Sequence, residues 1–585
     1  MPKARTTKFT MDTEKPAPSS LFVSSPNSTT DEERQMEIEV SKASPSPAIN
    51  TDEEEAQDER AHEQKKSFKF KVTVFMLCLT SVSVAMDSVI VAATLAAITS
   101  SLKGNSLEAF WVGTSYLLAQ TYLFMVLFQI FSAGSGLWSL RSRYFFLEAS
   151  FVVVLQNMNW LVAARVVQGL GGGGCLTLTT VILSDITTLR ERPKYLSMGA
   201  FAWALGTNIG IPVGGAIGQY TSWRWVFWIN IPICIPSIAG IVYALHLVRD
   251  KSSFKSKAAR VDYLGITLFI AATTLLLYGI TTGGTTNPWN SASVLAPLVL
   301  GVFGLGIFLL IEWKVTKTPM VPLRIFNNRS GNTGFFGSFV HGLVLWASAY
   351  YIVIFFLGAR GDPLFKSSAE TLPGSAPIAL SAVFCGIWVS RSLRFQKMTW
   401  LAWALLTTGT GLVALMKPNS SAGILYAIRI IPAIGGGFLF QLPLFAVQST
   451  AAGQDIGIAT SMIAFFRSVG QAFGVAIGGT VFQNEFDRFL ATAVAAGRIP
   501  PDFVITGAQA AGAYERINAL PHTMHNVQET YRYIYADALR TVWYVTTGIA
   551  GMGFLVGLLV RNENMDRGNY SKQSFQVEES RESSS

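Results

Sequence analysis

Charge is what this sequence has least of. Lys, Arg, Asp and Glu together make up 14% of its 585 residues, while half of the chain is apolar. A water-soluble body of that length needs a much larger charged surface, so a soluble globular protein is excluded. Cysteine is scarcer still. Cys78, Cys175, Cys234 and Cys385 all sit inside apolar runs, with no C-x-x-C or Cys/His spacing. They read as small core residues, and neither a metal site nor a disulfide framework is expected. The sequence also lacks paired catalytic carboxylates, a nucleophile–base set and a phosphate-binding loop, so an enzyme or a cofactor-binding protein is not expected.

What the chain has instead is long apolar runs. They measure roughly 18–25 residues, the length that crosses ~30 Å of hydrocarbon at ~1.5 Å per residue. Fourteen spans are expected, at 72–98, 111–131, 144–155, 160–183, 196–219, 223–247, 261–281, 292–312, 333–357, 372–390, 399–416, 422–447, 456–482 and 539–560. The first lies behind a long polar tail, so it is no cleavable signal peptide. Residues 1–71 form that tail, rich in Ser, Pro, Glu and Asp and expected to be disordered. A mixed polar loop is expected over 484–538, and a second polar tail over 561–585.

Net charge is +9, and its placement explains it without nucleic acid. Alternate short loops carry Arg141 and Arg143; Arg190, Arg192 and Lys194; Arg249 through Arg260; Lys314 through Arg329; and Arg391, Arg394 and Lys397. The opposite loops offer only Lys103, Arg360, Lys366 and Lys417. Basic loops face the cytoplasm, which puts both termini there when the span count is even. The loop at 448–455 should be cytoplasmic too, yet it carries no Lys or Arg.

The chain repeats itself. Arg165, Gly171, Gly172 and Gly173 recur 264 residues later as Arg429, Gly435, Gly436 and Gly437. In the same register Gly206, Gly210, Gly214 and Gly215 meet Gly470, Gly474, Gly478 and Gly479. Two six-span halves, 72–247 and 333–560, are therefore expected, with two inserted spans and their loops over 248–332. Such halves rocking about a midplane site are an alternating-access architecture.

Ionisable residues inside spans are costly, at about 2.5–3.5 kcal/mol each on insertion scales. Asp87 lies fifteen residues into a span entering from the cytoplasm. Arg165 lies five residues into one entering from outside, so both fall ~8 Å from the outer boundary. An acid and a base at one level can neutralise each other and couple protonation to an arginine; the alternative is a static pair that fixes packing. Gln168, one turn from Arg165, completes the set. Gly206, Gly210, Gly214 and Gly218 stack on one helix face beside Pro212, which reads as a hinge or seal between halves, or as tight packing. In the second half Arg467, with Gln441 and Gln471, offers polar contacts in a cavity suited to a semi-polar organic solute. His341 is expected to be a packing residue.

The motifs resemble the fourteen-span drug:proton antiporter branch of the major facilitator superfamily, especially fungal exporters of toxins and secondary metabolites. Asp87 with Ile90, Val91, Ala92 and Leu95 is similar to that branch's first-span motif. Arg165, Gln168, Gly169 and Gly171 match R-x-x-Q-G-x-G, whose arginine is tied to proton coupling in the family. Gly206, Gly210, Gly214 and Gly215 match the antiporter motif, with Pro212 one place late. Trp223-Arg224-Trp225, Phe227, Ile229-Asn230 and Pro232 match the opening of the sixth span. The resemblance implies an all-α major facilitator fold and proton-coupled efflux of a small organic compound by a monomer. The partners are protons and the bilayer, without cofactor or metal, and the setting is the plasma membrane or, as an alternative, the vacuolar one. Two competing readings are an uptake carrier for a nutrient or iron chelate and an inactive relative. The last gains weight because Phe131–Arg143 lacks the family's cytoplasmic gate signature and the third apolar run is only about a dozen residues long.

Overall fold

The computed structural model describes residues 67–102, 108, 111–121, 157–187, 191–245, 261–316, 319–452, 455–510, 512–518 and 520–563. The expected third span, the gate-signature region and nearly all of both expected tails lie outside the described residues. Apart from one isolated bridge between Gly283 and Asn287, the described secondary structure is helical.

Helix α1 is Phe68–Ser101, and residues 111–121 form the described part of α2. There follow α3 (Met158–Asp185), α4 (Arg192–Tyr220), α5 (Ile231–Ala244), α6 (Tyr263–Thr282), α7 (Ala292–Lys314) and α8 (Arg329–Ile354). The last is extended by a π-helical turn, Phe355–Ala359. Then come the short α9 (Leu364–Ala369), α10 (Leu372–Ser392), α11 (Gln396–Val413), α12 (Ala422–Thr450), α13 (Ile456–Ala495) and, after a capped loop, α14 (His525–Gly557). Side-chain caps set several starts. Asn157 accepts from the Trp160 amide, Asp262 from Gly265, and Asn328 from Ser330 and Gly331, each satisfying an amide that has no partner within its helix.

Among the described residues, ten helices are long and apolar enough to cross a bilayer. Helices α11 and α14 occupy two further expected span positions and pack into the same bundle, α11 between α12 and α14. The inserted pair behaves differently from the rest. Helices α6 and α7 pack on each other, and α6 docks on α13, where the Thr480 hydroxyl donates to the Ile280 carbonyl at 2.9 Å. Much of α7, including Val299, Val302 and Phe303, stays exposed, as befits a lipid-facing surface. At its end Glu312 turns inward and accepts the Met320 and Val321 amides, both at 3.2 Å, which pins the loop leaving the pair.

The glycine rows determine how each of the two halves is built, and the tight packing expected of them is seen along α1. A Cβ on Gly206, Gly210 or Gly214 would stand 2.2, 2.8 and 2.4 Å from the carbonyl oxygens of Val82, Met86 and Ile90. Those three positions therefore pack α4 along α1 of its own half, the two running parallel, while Gly218, whose Cβ would stand 3.0 Å from Thr94 of α1 and from Leu364 of α9, reaches the other half as well. Gly215 also faces the other half, since its Cβ would strike Ser368 of α9. The repeat holds in space as well. Gly470 and Gly474 of α13 pack in the same way on the carbonyls of Phe339 and Leu343 in α8, at 2.0 and 2.2 Å.

The expected mixed loop at 484–538 is also corrected. Helix α13 runs 40 residues, to Ala495. At ~1.5 Å per residue it measures ~60 Å, about twice the ~30 Å hydrocarbon layer. Beyond it the chain folds into a cap with buried Ile499, Ile505, Ala510 and Ile517. Tyr531 of α14 ties this cap down, donating to the Phe503 carbonyl at 2.6 Å and accepting the Ile505 amide at 3.2 Å. Helix α14 accordingly begins at His525, well before the expected 539.

Candidate functional site

Arg165 sits about two turns into α3, and Asn157 fixes where that helix begins. The structure brings it to Asp87 of α1, Nη1 lying 3.5 Å from Oδ2, with side chains 0% and 3% exposed. Nη1 also donates to Gln168 Oε1, so the three sequence-predicted residues meet at one point. Every remaining face of the guanidinium is occupied. Nε donates to the Val112 carbonyl at 3.3 Å, Nη2 to the Asp87 carbonyl at 3.2 Å, and the Tyr116 ring lies 4.2 Å away.

Asn230 joins the pair and went unassigned in the sequence. Its Nδ2 donates to Asp87 Oδ1 at 3.0 Å, and its Oδ1 accepts from the Ser83 hydroxyl at 3.2 Å. The signal was present, since Asn230 and Phe227 belong to the Trp223–Pro232 motif. Phe227 lies 6.0 Å from the guanidinium. That motif thus builds one wall of the Asp87 site. A buried carboxylate with one cation and one amide donor is largely compensated, which a lone buried charge would not be.

A second group of predicted residues meets elsewhere. Gln441, Arg467 and Gln471 line one cavity of about 110 Å³, where Ser81, Thr179 and Trp203 of the N-terminal helices face Phe440, Leu444 and Ile463 of the C-terminal ones. Arg467 donates from Nη2 to the Phe440 carbonyl at 2.7 Å and lies 4.1 Å from that ring. Gln441 reaches across to the Leu196 carbonyl at 3.5 Å. His341 is fully buried and meets Phe440 edge-on, at 6.0 Å. A space with apolar walls, two amides and a guanidinium suits an organic molecule bearing a few polar groups.

Trp203 closes this cavity on one side. Its ring lies 5.0 Å from Phe440 and 5.2 Å from Trp346. Beyond it a second cavity of about 110 Å³ opens between Asn208, Val344, Trp346, Ser375 and Arg429. Past that cavity the halves touch directly. Asn208 donates to the Ser375 carbonyl at 3.3 Å, the Phe365 amide donates to Gln219 at 2.8 Å, and Tyr220 meets Phe365 at 6.2 Å. Contacts between the halves along α4 are therefore densest toward its C-terminal end. Pro212 lies inside α4 on this stretch. None of this was readable in the sequence, where Trp203 is one of 14 tryptophans.

Comparison with known proteins identifies the family. Residues 77–475 match the family model for the Major Facilitator Superfamily. MFS transporter L2 of a Phoma species is 34% identical over 493 residues, covering 84% of this chain and 81% of the relative. Efflux pump dotC of Dothistroma septosporum is 32% identical, covering 81% of each. Among solved structures, a bacterial homologue of the human lysosomal transporter Spinster, inward-facing and unoccupied, superposes with a TM-score of 0.52 at 13% identity. It covers 85% of this chain and 98% of its own. With a family match across most of the bundle and relatives aligned over most of their length, this chain belongs to the major facilitator superfamily and is a multi-pass membrane transporter.

Proposed function

We propose that the protein exports small organic compounds in exchange for protons, with Asp87 as the proton carrier. The observation behind this reading is the Asp87–Arg165 pair, buried at 3.5 Å and flanked by Gln168 and Asn230. Ionised, Asp87 holds the guanidinium; a proton on Asp87 removes that attraction and leaves Arg165 to Gln168 and to two backbone carbonyls. Protonation thus changes what ties α1 to α3, which is the change an alternating-access cycle needs. Substrate occupies the Arg467 cavity, whose mixed lining favours semi-polar organic molecules. Relatives named as efflux pumps support the outward direction. The basic loops orient both termini to the cytoplasm, with fourteen spans in a plasma-membrane monomer.

The test uses vesicles carrying the full chain, an imposed pH gradient and a panel of fluorescent compounds that includes rhodamine 6G and ethidium. Wild type expels at least one of them, and an uncoupler stops the process. Asp87→Asn abolishes gradient-driven efflux at unchanged protein level. Coupled efflux persisting in that variant would remove Asp87 from the role.

A further inference from the structure

We infer that the cavity around Arg429 is a second ligand station, built to hold the anionic end of an organic molecule beyond the Trp203 partition. The inference rests on the transport reading above and adds a site and a charge preference to it. Arg429 is 5% exposed and lines the cavity. Its Nε donates to the Leu425 carbonyl at 2.9 Å, but Nη1 and Nη2 have no hydrogen-bond acceptor. The Trp346 indole N–H, lining the same space, has none either. A buried donor without an acceptor costs about 1–3 kcal/mol, more when charged. Two donor-bearing side chains in this state around one cavity therefore call for an acceptor that arrives with a ligand.

The surroundings narrow the chemistry. Phe356 and Tyr426 lie 4.9 and 5.6 Å from the guanidinium, and Ile211, Val344, Ile352 and Trp543 supply apolar wall. Glu370 is the nearby carboxylate; its Oε1 lies 3.9 Å from Lys366, its Oε2 is buried without a hydrogen-bond partner, and its charge offsets that of Arg429 without an ion pair between them. An aromatic or aliphatic carboxylate fits this combination. Its oxygens would meet the planar donor fork of Arg429 and its body the apolar wall. Trp203 separates this station from Arg467, so a molecule passing from one to the other exchanges one guanidinium for the next.

Binding to the purified full-length protein in lipid nanodiscs tests this, with 1-naphthoate as probe and uncharged 1-naphthamide as control. Wild type should bind naphthoate. Arg429→Gln should weaken that binding about ten- to a hundredfold, as expected for a lost charged hydrogen-bond donor, and leave the amide unchanged. Arg429→Lys should lose less, Arg467→Gln should lose less than Arg429→Gln, and Glu370→Gln should tighten binding a few-fold by removing a competing negative charge. Matched thermal unfolding of the variants establishes that they fold. Three results would each overturn the site: naphthoate affinity unchanged in Arg429→Gln, equal losses for acid and amide, or no naphthoate binding to wild type at millimolar concentration. Naphthoate held through Arg429, with neither it nor any compound of the panel expelled from vesicles, would sink the efflux reading and leave this site standing.

Discussion

Arg165 and Arg429 occupy equivalent places in two copies of one design, yet one is saturated and the other is not. Around Arg165, all three nitrogens find oxygen acceptors. Around Arg429 only Nε does. The cause is traceable in the helix register. Gly210 packs at Met86 and Gly474 at Leu343, so the position matching Asp87 is Val344, and the position matching Gln168 is Pro432. The second half has the cation without the two polar partners. One half thus carries an arginine whose three nitrogens all meet acceptors, the other an arginine with two idle nitrogens and Glu370 as its nearby negative charge.

Removing each arginine is the strongest way to break that contrast. Arg165→Met strands Asp87 and should cost about 3–5 kcal/mol, the usual penalty for splitting a buried pair. Arg429→Met breaks no ion pair, and the nearby Glu370 keeps Lys366 at 3.9 Å, so the loss should be clearly smaller. Thermal unfolding of the purified variants checks both, and equal losses would erase the distinction. The glycine rows offer the next largest effect, and here the halves should agree. Gly206→Ala and Gly474→Ala each drive a methyl into a carbonyl 2.2 Å away and should cost roughly 1–3 kcal/mol. Gly306→Ala on α7, with nothing within 4 Å, should stabilise by up to about 1 kcal/mol through helix propensity. The finest probe restores the missing partner. Val344→Asp should be better tolerated with Arg429 present than in an Arg429→Met background, with a coupling of about 1 kcal/mol in a double-mutant cycle. Zero coupling would show that the two positions do not face each other as Asp87 and Arg165 do.

Much of this was legible in the sequence. Depth counting alone put Asp87 and Arg165 at one level, because a helix rises by a fixed amount per residue and an insertion penalty makes charges inside spans conspicuous. The repeat was visible because glycines that meet backbone leave no freedom to drift. Arg429's idle donors were not legible, since seeing them requires the register of α8 against α13, which the sequence does not mark at Val344. Trp203 was hidden among other aromatics for the same reason: its role depends on which two cavities it separates. The cap beyond α13 escaped because its buried Ile499, Ile505 and Ile517 follow no helical period, so only contact with Tyr531 reveals them as core.

The side-chain-free faces of α4 and α13 have a mechanical consequence. Backbone seated directly on backbone leaves no layer of flexible atoms to absorb displacement, so α1 with α4, and α8 with α13, must travel as two stiff planks. Any opening of the molecule has to be taken up outside the planks, as where α4 meets α9 and α10: there Gln219 accepts the Phe365 amide and Asn208 bonds Ser375. Those few polar clasps, and not the long glycine seams, are what a movement of α4 against α9 and α10 has to break.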